Sequence, residues 1–500
     1  MSELTQPPGR PRRIAIVGGG IAGLAAAFFL RETGAAVTVL EGSPRLGGKL
    51  AVSEVAGIAV DEGAEALLAG RPEGTGLIST VGLADQLREP AATRAAIWSR
   101  GRLCPLPRRQ VFGVPADLDE VAETGILSAA GLARAREDLV LPETSRAGDV
   151  SVTGYVGARF GDELVDRLVD PLLGGVYAGR SQDLSFEATL GPLAAASDRY
   201  QSLAAAAAAM VNGGSGRPSG PVFTTLAAGL GTLPPVLAAA SGADARTGAM
   251  VRELTRLPGG WRLTIGSARA PGYLDADAVV LALPARPAAR LLSGVPGAAA
   301  AAAALGEIEY ASMALVTLAY PVSAFPEPPQ CSGYLVPAVD GRAVKAVTFS
   351  SVKWPHLAAA DPAICLVRCS VGRIGEEALL QRPDSELAAI AAGDLAAATG
   401  ISGEPADSRV TRWGGGLPQY NVGHLDRVAR IRAGIAALPG VAICGAAYDG
   451  VGIPACIATA RLAAQQVLDY LDSAARDTGA GEAGTRESGH HSAAQPGGAR

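Results

Sequence analysis

Apolar residues run unbroken in short blocks near both ends of the chain, while much of the middle alternates or repeats at helical spacing. Residues 14–17 form the first block, short and without a polar break, which predicts a strand covered on both faces. It runs straight into Gly18-x-Gly20-x-x-Gly23, and residues 24–30 then read as a helix. A second block, residues 36–40, ends in Glu41. Residues 277–283, stopped by Pro284, and residues 441–444 repeat the buried-strand pattern. The last of these opens into a Gly-rich bend and a helix to about residue 471. Between them, residues 117–211 carry helical spacing, 298–305 a further helix, and strands are predicted from 251, at 261–265, 311–320, 335–336, 344–349 and 364–371. Residues 212–220 read as a mobile Gly-Ser-Pro linker, and residues 472–500 as a disordered tail.

The amino-terminal glycines each have a physical task. Gly18 makes the tight turn, Gly20 admits a diphosphate to the backbone, and Gly23 lets helix and strand pack closely. The helix start offers unpaired N–H groups and partial positive charge. Glu41 stands where an acid grips ribose hydroxyls. Gly-rich chains produce a lone G-x-G-x-x-G by chance, but strand, glycines, helix, second strand and terminal acid together specify a dinucleotide site.

Composition narrows the remaining classes. A chain of 500 residues calls for two or three structural units. Its formal net charge of −5 argues against nucleic acid as a partner. Lysine occurs only at 49, 345 and 353, while arginine, alanine and glycine abound. Six cysteines lie scattered with no CxxC pair, and two of the four histidines fall in the tail, so reduced thiols and no metal site are expected. No apolar leader precedes the first strand and no run matches a membrane span, which suggests a cytoplasmic protein, resting at most peripherally on the inner face of the membrane.

Residues 41–49 separate flavin from nicotinamide: Glu41, Gly42, Arg45, Gly48 and Lys49 resemble the segment after the second strand in FAD enzymes of the amine oxidase and protoporphyrinogen oxidase superfamily. Asp61-x-Gly63-Ala64-Glu65, followed by Ala66, is similar to the turn that passes the flavin ring in the protoporphyrinogen and coproporphyrinogen III oxidases. Residues 81–87 resemble that family's next helix and 97–107 its hairpin, turning at Gly101. Gly175 and Tyr177 fall in a segment similar to one that packs beside the family's substrate cavity. The most specific match is Trp413-x(4)-Pro418-Gln419-Tyr420-x-Val422-Gly423-His424. The bend at 445–457 resembles the second flavin-contacting turn, with Ala455 where the family commonly has Asp.

The resemblance implies an α/β chain: a Rossmann-type FAD-binding domain (12–85, 221–292, 412–471) with a helical, membrane-facing substrate subdomain (86–214) and an inserted mixed-sheet substrate domain (293–411). It implies one non-covalent FAD per chain, held by Gly18, Gly19, Gly20, Ile21, Ala22, Gly23, the 41–49 set, residues 63–66, Val251 at the adenine end, Trp413 beside the ring, and Gly445, Val451, Gly452 and Ile453. Arg94, Gly175, Tyr177, Arg368 and Tyr420 are the substrate-site candidates, with the arginines offered to propionates and Tyr420 to the cavity wall. No side chain is assigned the redox step, since the flavin carries it. The activity implied is six-electron, oxygen-dependent oxidation of coproporphyrinogen III with hydrogen peroxide as by-product, in heme biosynthesis, the product passing to a ferrochelatase. Protoporphyrinogen IX is the alternative substrate; amine oxidases and carotenoid desaturases share both nucleotide turns and should lack the 413–424 run.

Overall fold

The computed structural model describes residues 11–144, 146–213 and 220–487, with side chains to 476. The block at residues 14–17 is the central strand (Arg13–Val17) of a five-stranded parallel sheet. Ala36–Leu40 and then Asp244–Arg246 lie on one side of it, Ala278–Leu281 and then Val441–Ile443 on the other. Parallel pairing requires crossovers, which cover both faces with apolar layers. On one face the glycine-turn helix (Ile21–Leu30) and the carboxyl-terminal helix (Ile453–Glu487) share a core with Ile14, Ile16 and Val280. On the other, Ala15, Val17 and Leu281 pack with the three-stranded antiparallel sheet at Val251–Leu257, Gly260–Ser267 and Ala270–Ala276.

A second sheet has seven strands, ordered Asp407–Pro418, Tyr310–Pro321, Ile364–Val371, Val344–Phe349, Gly333–Leu335, Ala96–Ser99 and Arg102–Pro105. It is mixed: Gly333–Leu335 runs parallel to Ala96–Ser99 and the other neighbours are antiparallel. Helix Asp384–Thr399 buries Leu387, Ala391 and Leu395 in its core. The helical layer, built mainly between residues 118 and 212, has a core of its own. Its helix starts use the expected side-chain acceptors: Asp117, Ser128, Ser185 and Ser202 each accept a backbone N–H two or three residues on.

The boundaries differ from the sequence expectation in four places. Residues 81–87 hold only a single 3-10 turn, Ala84–Gln86; the α-helix lies earlier, at Pro72–Thr80, where proline is tolerated in the first turn, and Gly82 at φ +79 follows its end. The 97–107 hairpin belongs to the seven-stranded sheet rather than to the helical layer, because Tyr334 and Leu335 pair with Ala96 and Ile97. Residues 412–418 likewise sit in that sheet, paired with Tyr310–Pro321, not in the nucleotide domain. The last helix continues to Glu487, so 472–487 is not disordered; 488–500 and most of the linker, 214–219, lie outside the described residues. Cys365 and Cys369 do share one strand, and all six cysteines are free.

The helical layer turns on one buried ion pair. Arg159 Nε donates to Asp138 Oδ1 at 2.5 Å with both side chains almost wholly buried, and Asp138 also accepts from Leu203 N and Ala204 N at the start of helix Leu203–Asn212. Removing one partner strands the other charge. Arg159→Met is expected to cost about 3–5 kcal/mol, read as lost hydrogen-exchange protection in helix Leu203–Asn212.

Candidate active site

Each amino-terminal glycine is needed for a different reason. Gly18 has φ +110, and a Cβ there would lie 2.3 Å from Ala282 O. A Cβ on Gly23 would lie 1.9 Å from Gly18 O, so helix and turn are in backbone contact. One on Gly19 would meet Leu46 Cδ2 at 2.7 Å. Gly20 is different: its Cβ position has nothing within 4 Å, a vacant side facing the start of the helix. That helix has no side-chain cap and no acid in its first turn, so its N–H groups stay available for an anion. Ile21 and Ala22 continue into it, with Ala22 buried.

Glu41 closes the other side of the cradle. Its Oε2 accepts from Gly19 N at 2.8 Å and its Oε1 from Ser43 N at 2.7 Å, which fixes the carboxylate and leaves lone pairs for ribose hydroxyls. Gly42 packs on Met250, where a Cβ would come within 2.6 Å of Cε. Val251 itself is buried in the core beneath. Arg45 donates to the carbonyls of Leu46, Gly48 and Leu50 and stands 5.9 Å from the Trp413 ring. Gly48, at φ +56, faces Gly20. Lys49 is half-buried by area but closely surrounded, and desolvation lowers its pKa.

The second glycine bend follows Val441–Ile443, two strands from Arg13–Val17 and therefore roughly 10 Å away across the sheet. A Cβ on Gly445 (φ +125) would meet nothing within 4 Å, and Gly450 has φ +141. Val451, Gly452 and Ile453 lead into the carboxyl-terminal helix. Tyr420 holds this bend: its hydroxyl donates to Ala446 O at 2.8 Å and accepts from Gly450 N at 2.7 Å. Its ring stacks on His424 at 3.8 Å, and His424 Nε2 donates to Tyr448 O at 3.1 Å. Burial brings the His424 pKa down to about 4, so the imidazole is neutral there. Tyr420, expected in the cavity wall, is buried and acts as a strut, its hydroxyl engaged at both sides.

The turn at 61–66 joins the two sheets. Gly63 is obligatory, since a Cβ would lie 1.7 Å from Lys49 O. Ala64 N donates to the same carbonyl, and Trp413 Nε1 donates to Glu62 O at 2.7 Å. Trp413 thus lies against the turn from the sheet side. Glu65 pairs with Lys353 at 2.7 Å and Arg368 at 3.0 Å, while Arg368 also donates to Gly63 O. Burial alone would raise the Glu65 pKa, but Lys353 and then Arg368 hold it at about 2. Arg368 is therefore committed to this cluster rather than free for a propionate. Ala66 leads from it into Leu67–Leu68.

The other substrate candidates divide. Gly175 lies on helix Asp170–Tyr177, where a Cβ would sit 3.4 Å from Leu335 of the seven-stranded sheet. Tyr177 is buried 5.4 Å from Tyr420, ring to ring, and burial pushes its phenol up to about 12. These two reach the junction of helices, sheet and second bend. Arg94 does not join them: it is exposed, and what is fixed is its carbonyl, which accepts from Ser332. Sequence reasoning missed Lys353, and it quoted Asp61 and His424 only as members of their motifs, with no role assigned to either. The rarity of lysine was the one signal for Lys353; nothing in local spacing links it to Glu65, 288 positions away.

Glu65 dominates the acid response of this site. Its pKa is depressed, so its stabilisation is full above the ordinary carboxyl range near 4.5 and is lost as pH falls toward about 2. Glu65→Gln is expected to lose about 3 kcal/mol at neutral pH and to show a flatter acid limb than the wild type in urea unfolding followed between those two pH values.

Comparison with known proteins agrees with this geometry. Residues 21–468 match the family described as flavin containing amine oxidoreductase. The chain is similar to a Mycobacterium tuberculosis protein named coproporphyrinogen III oxidase, 39% identical over 93% of this chain and 99% of that one. A Bacillus subtilis protein of the same name is 32% identical over 92% and 99%. Among solved structures, one from Exiguobacterium, provisionally described as a protoporphyrinogen oxidase, superposes with a TM-score of 0.80 at 31% identity, covering 92% of this chain and 99% of that one. With its two glycine bends, the 61–66 turn and the tryptophan against it, this chain belongs to the flavin-containing amine oxidoreductases, in their protoporphyrinogen and coproporphyrinogen oxidase branch.

Proposed function

We propose that this protein oxidises coproporphyrinogen III to coproporphyrin III with one non-covalently held FAD per chain. The observation that carries the reading is end-to-end similarity to the mycobacterial coproporphyrinogen III oxidase, joined to a cradle left vacant at Gly20 and Gly445. The bound flavin supplies the acceptor for a hydride; everything else is position and electrostatics. The N–H groups at the start of helix Ile21–Leu30 hold the diphosphate past Gly20, and Glu41 holds the ribose. Trp413 and the 62–66 backbone flank the ring, and the Tyr420 strut keeps the second bend at the height it must have to meet the same ligand. Oxygen is the terminal acceptor and hydrogen peroxide the by-product in this reading.

Substrate carboxylates call for cations, and Arg368 is already paired. The cluster of Glu65, Lys353 and Arg368 still carries one net positive charge, which favours an approaching propionate from that side. No helix among the described residues is long and apolar enough to cross a membrane, so contact with a bilayer, and delivery of product to a ferrochelatase, are surface events in this proposal.

Three measurements test it. Purified protein is expected to form porphyrin fluorescence faster from coproporphyrinogen III than from protoporphyrinogen IX; the reverse ranking assigns it to protoporphyrinogen. Gly20→Val is expected to weaken FAD binding at least about a hundredfold, near 2.8 kcal/mol, with circular dichroism and melting temperature unchanged, because the Cβ site is vacant. Acid precipitation should leave the yellow colour in the supernatant.

A further inference from the structure

Behind the 61–66 turn, on its seven-stranded-sheet side, lies a cavity of 30 Å³. That is room for about two water molecules. Its wall includes Asp61 and Glu65 from the turn, Thr317 and Arg368 from the sheet, and Trp354 and His356 from the segment between two strands. Three of these side chains carry a buried polar atom with no hydrogen-bond partner among the described residues: Trp354 Nε1, His356 Nδ1 and Arg368 Nε. Leaving such an atom unpaired forfeits its hydration with nothing in return. Three such atoms belong to residues that line one small hole, where water can supply the missing partners.

Asp61 is the carboxylate of this wall that makes no ion pair among the described residues. Its two oxygens accept from Leu230 N and Gly231 N, each at 2.9 Å, which leaves lone pairs over. Of the charges around it, Arg368 favours ionised Asp61 and Glu65 opposes it; Lys353 is spent on Glu65, and Arg88 acts against charging of His356. We propose that this cavity is a hydrated proton-holding site, in which an ordered pair of waters joins Asp61 to Trp354 and Arg368 and exchanges its proton with solvent through His356. Burial places the Asp61 pKa at about 6, within reach of a proton near neutral pH.

The site stands whatever the substrate is. Its use rests on the proposed reaction: each two-electron step breaks a methylene C–H bond, whose electron pair leaves with the hydride to the flavin, and a pyrrole N–H bond, whose pair stays on nitrogen. The proton so released has to be stored or carried off from a dry site, and Asp61 adjoins the turn that flanks the ring.

The test uses the holoenzyme. A high-resolution crystal structure is expected to show water within hydrogen-bond distance of Trp354 Nε1 and Arg368 Nε; a dry cavity overturns the proposal. Infrared difference spectra taken from about pH 5 to about pH 7 are expected to lose the carbonyl band of a buried protonated carboxyl, and Asp61→Asn should lack that band. Because Asp61 also caps Leu230 and Gly231, Trp354→Phe provides a variant that leaves the cap intact. It removes one water contact and should raise the band's midpoint by about half a pH unit. His356→Gln should leave the midpoint in place and slow hydrogen–deuterium exchange of the carboxyl. A band that survives Asp61→Asn, a midpoint unmoved in Trp354→Phe, or exchange unchanged in His356→Gln each sinks the site, whichever porphyrinogen the enzyme oxidises.

Discussion

The contact between Gly23 and the carbonyl of Gly18, with Gly18 itself pressed on Ala282, sets the height at which the first helix leaves the parallel sheet. No side chain fits at either point, so the helix start is brought as near to the strand ends as backbone permits. That closeness sets Gly20, whose Cβ position meets nothing within 4 Å, at the start of a helix with no side-chain cap. Glu41 depends on the same geometry, because the Gly19 N–H that orients its carboxylate belongs to the turn. A wider turn would lose the uncapped helix start and the oriented Glu41 carboxylate together.

The cluster of Glu65, Lys353 and Arg368 plays the corresponding part between the two sheets. It draws its members from the nucleotide domain, the segment after Val344–Phe349, and Ile364–Val371. Three side chains mostly out of water, with two cations around one carboxylate, are stable only as a set, since loss of the acid leaves two buried positive charges. Trp413 adds a fourth tie, through its hydrogen bond to Glu62. The 61–66 turn is thus held from both sides, and its backbone cannot drift relative to the seven-stranded sheet.

At the far end the Tyr420–His424 stack does by packing what the charged cluster does by electrostatics. A neutral imidazole under a phenol ring, each hydrogen-bonded to backbone of the second bend, fixes Ala446, Tyr448 and Gly450 with no charge to be screened. The Pro418–His424 run is therefore specific for a structural reason as much as a chemical one. Gln419, which donates to Tyr177 O and Leu417 O, ties the same run to the helical layer.

The sequence alone determined the parallel core, both glycine bends and the family, because these depend on short-range features: unbroken apolar runs, glycines where a Cβ has no room, and an acid at a fixed offset. By resemblance it offered Trp413 to the flavin ring and Gly175 and Tyr177 to the substrate site, and the folded chain sets Trp413 against the 61–66 turn and Tyr177 beside Tyr420. Tertiary structure alone decided that Arg368 pairs with Glu65, that the Tyr420 hydroxyl is bound to the second bend, and that the 97–107 hairpin joins the seven-stranded sheet. Each of those outcomes turns on a partner about 26 to 300 positions distant. Residue type announces that an arginine or a tyrosine can form a strong interaction; only the folded chain, by bringing one acceptor close and excluding water from it, determines which interaction is formed.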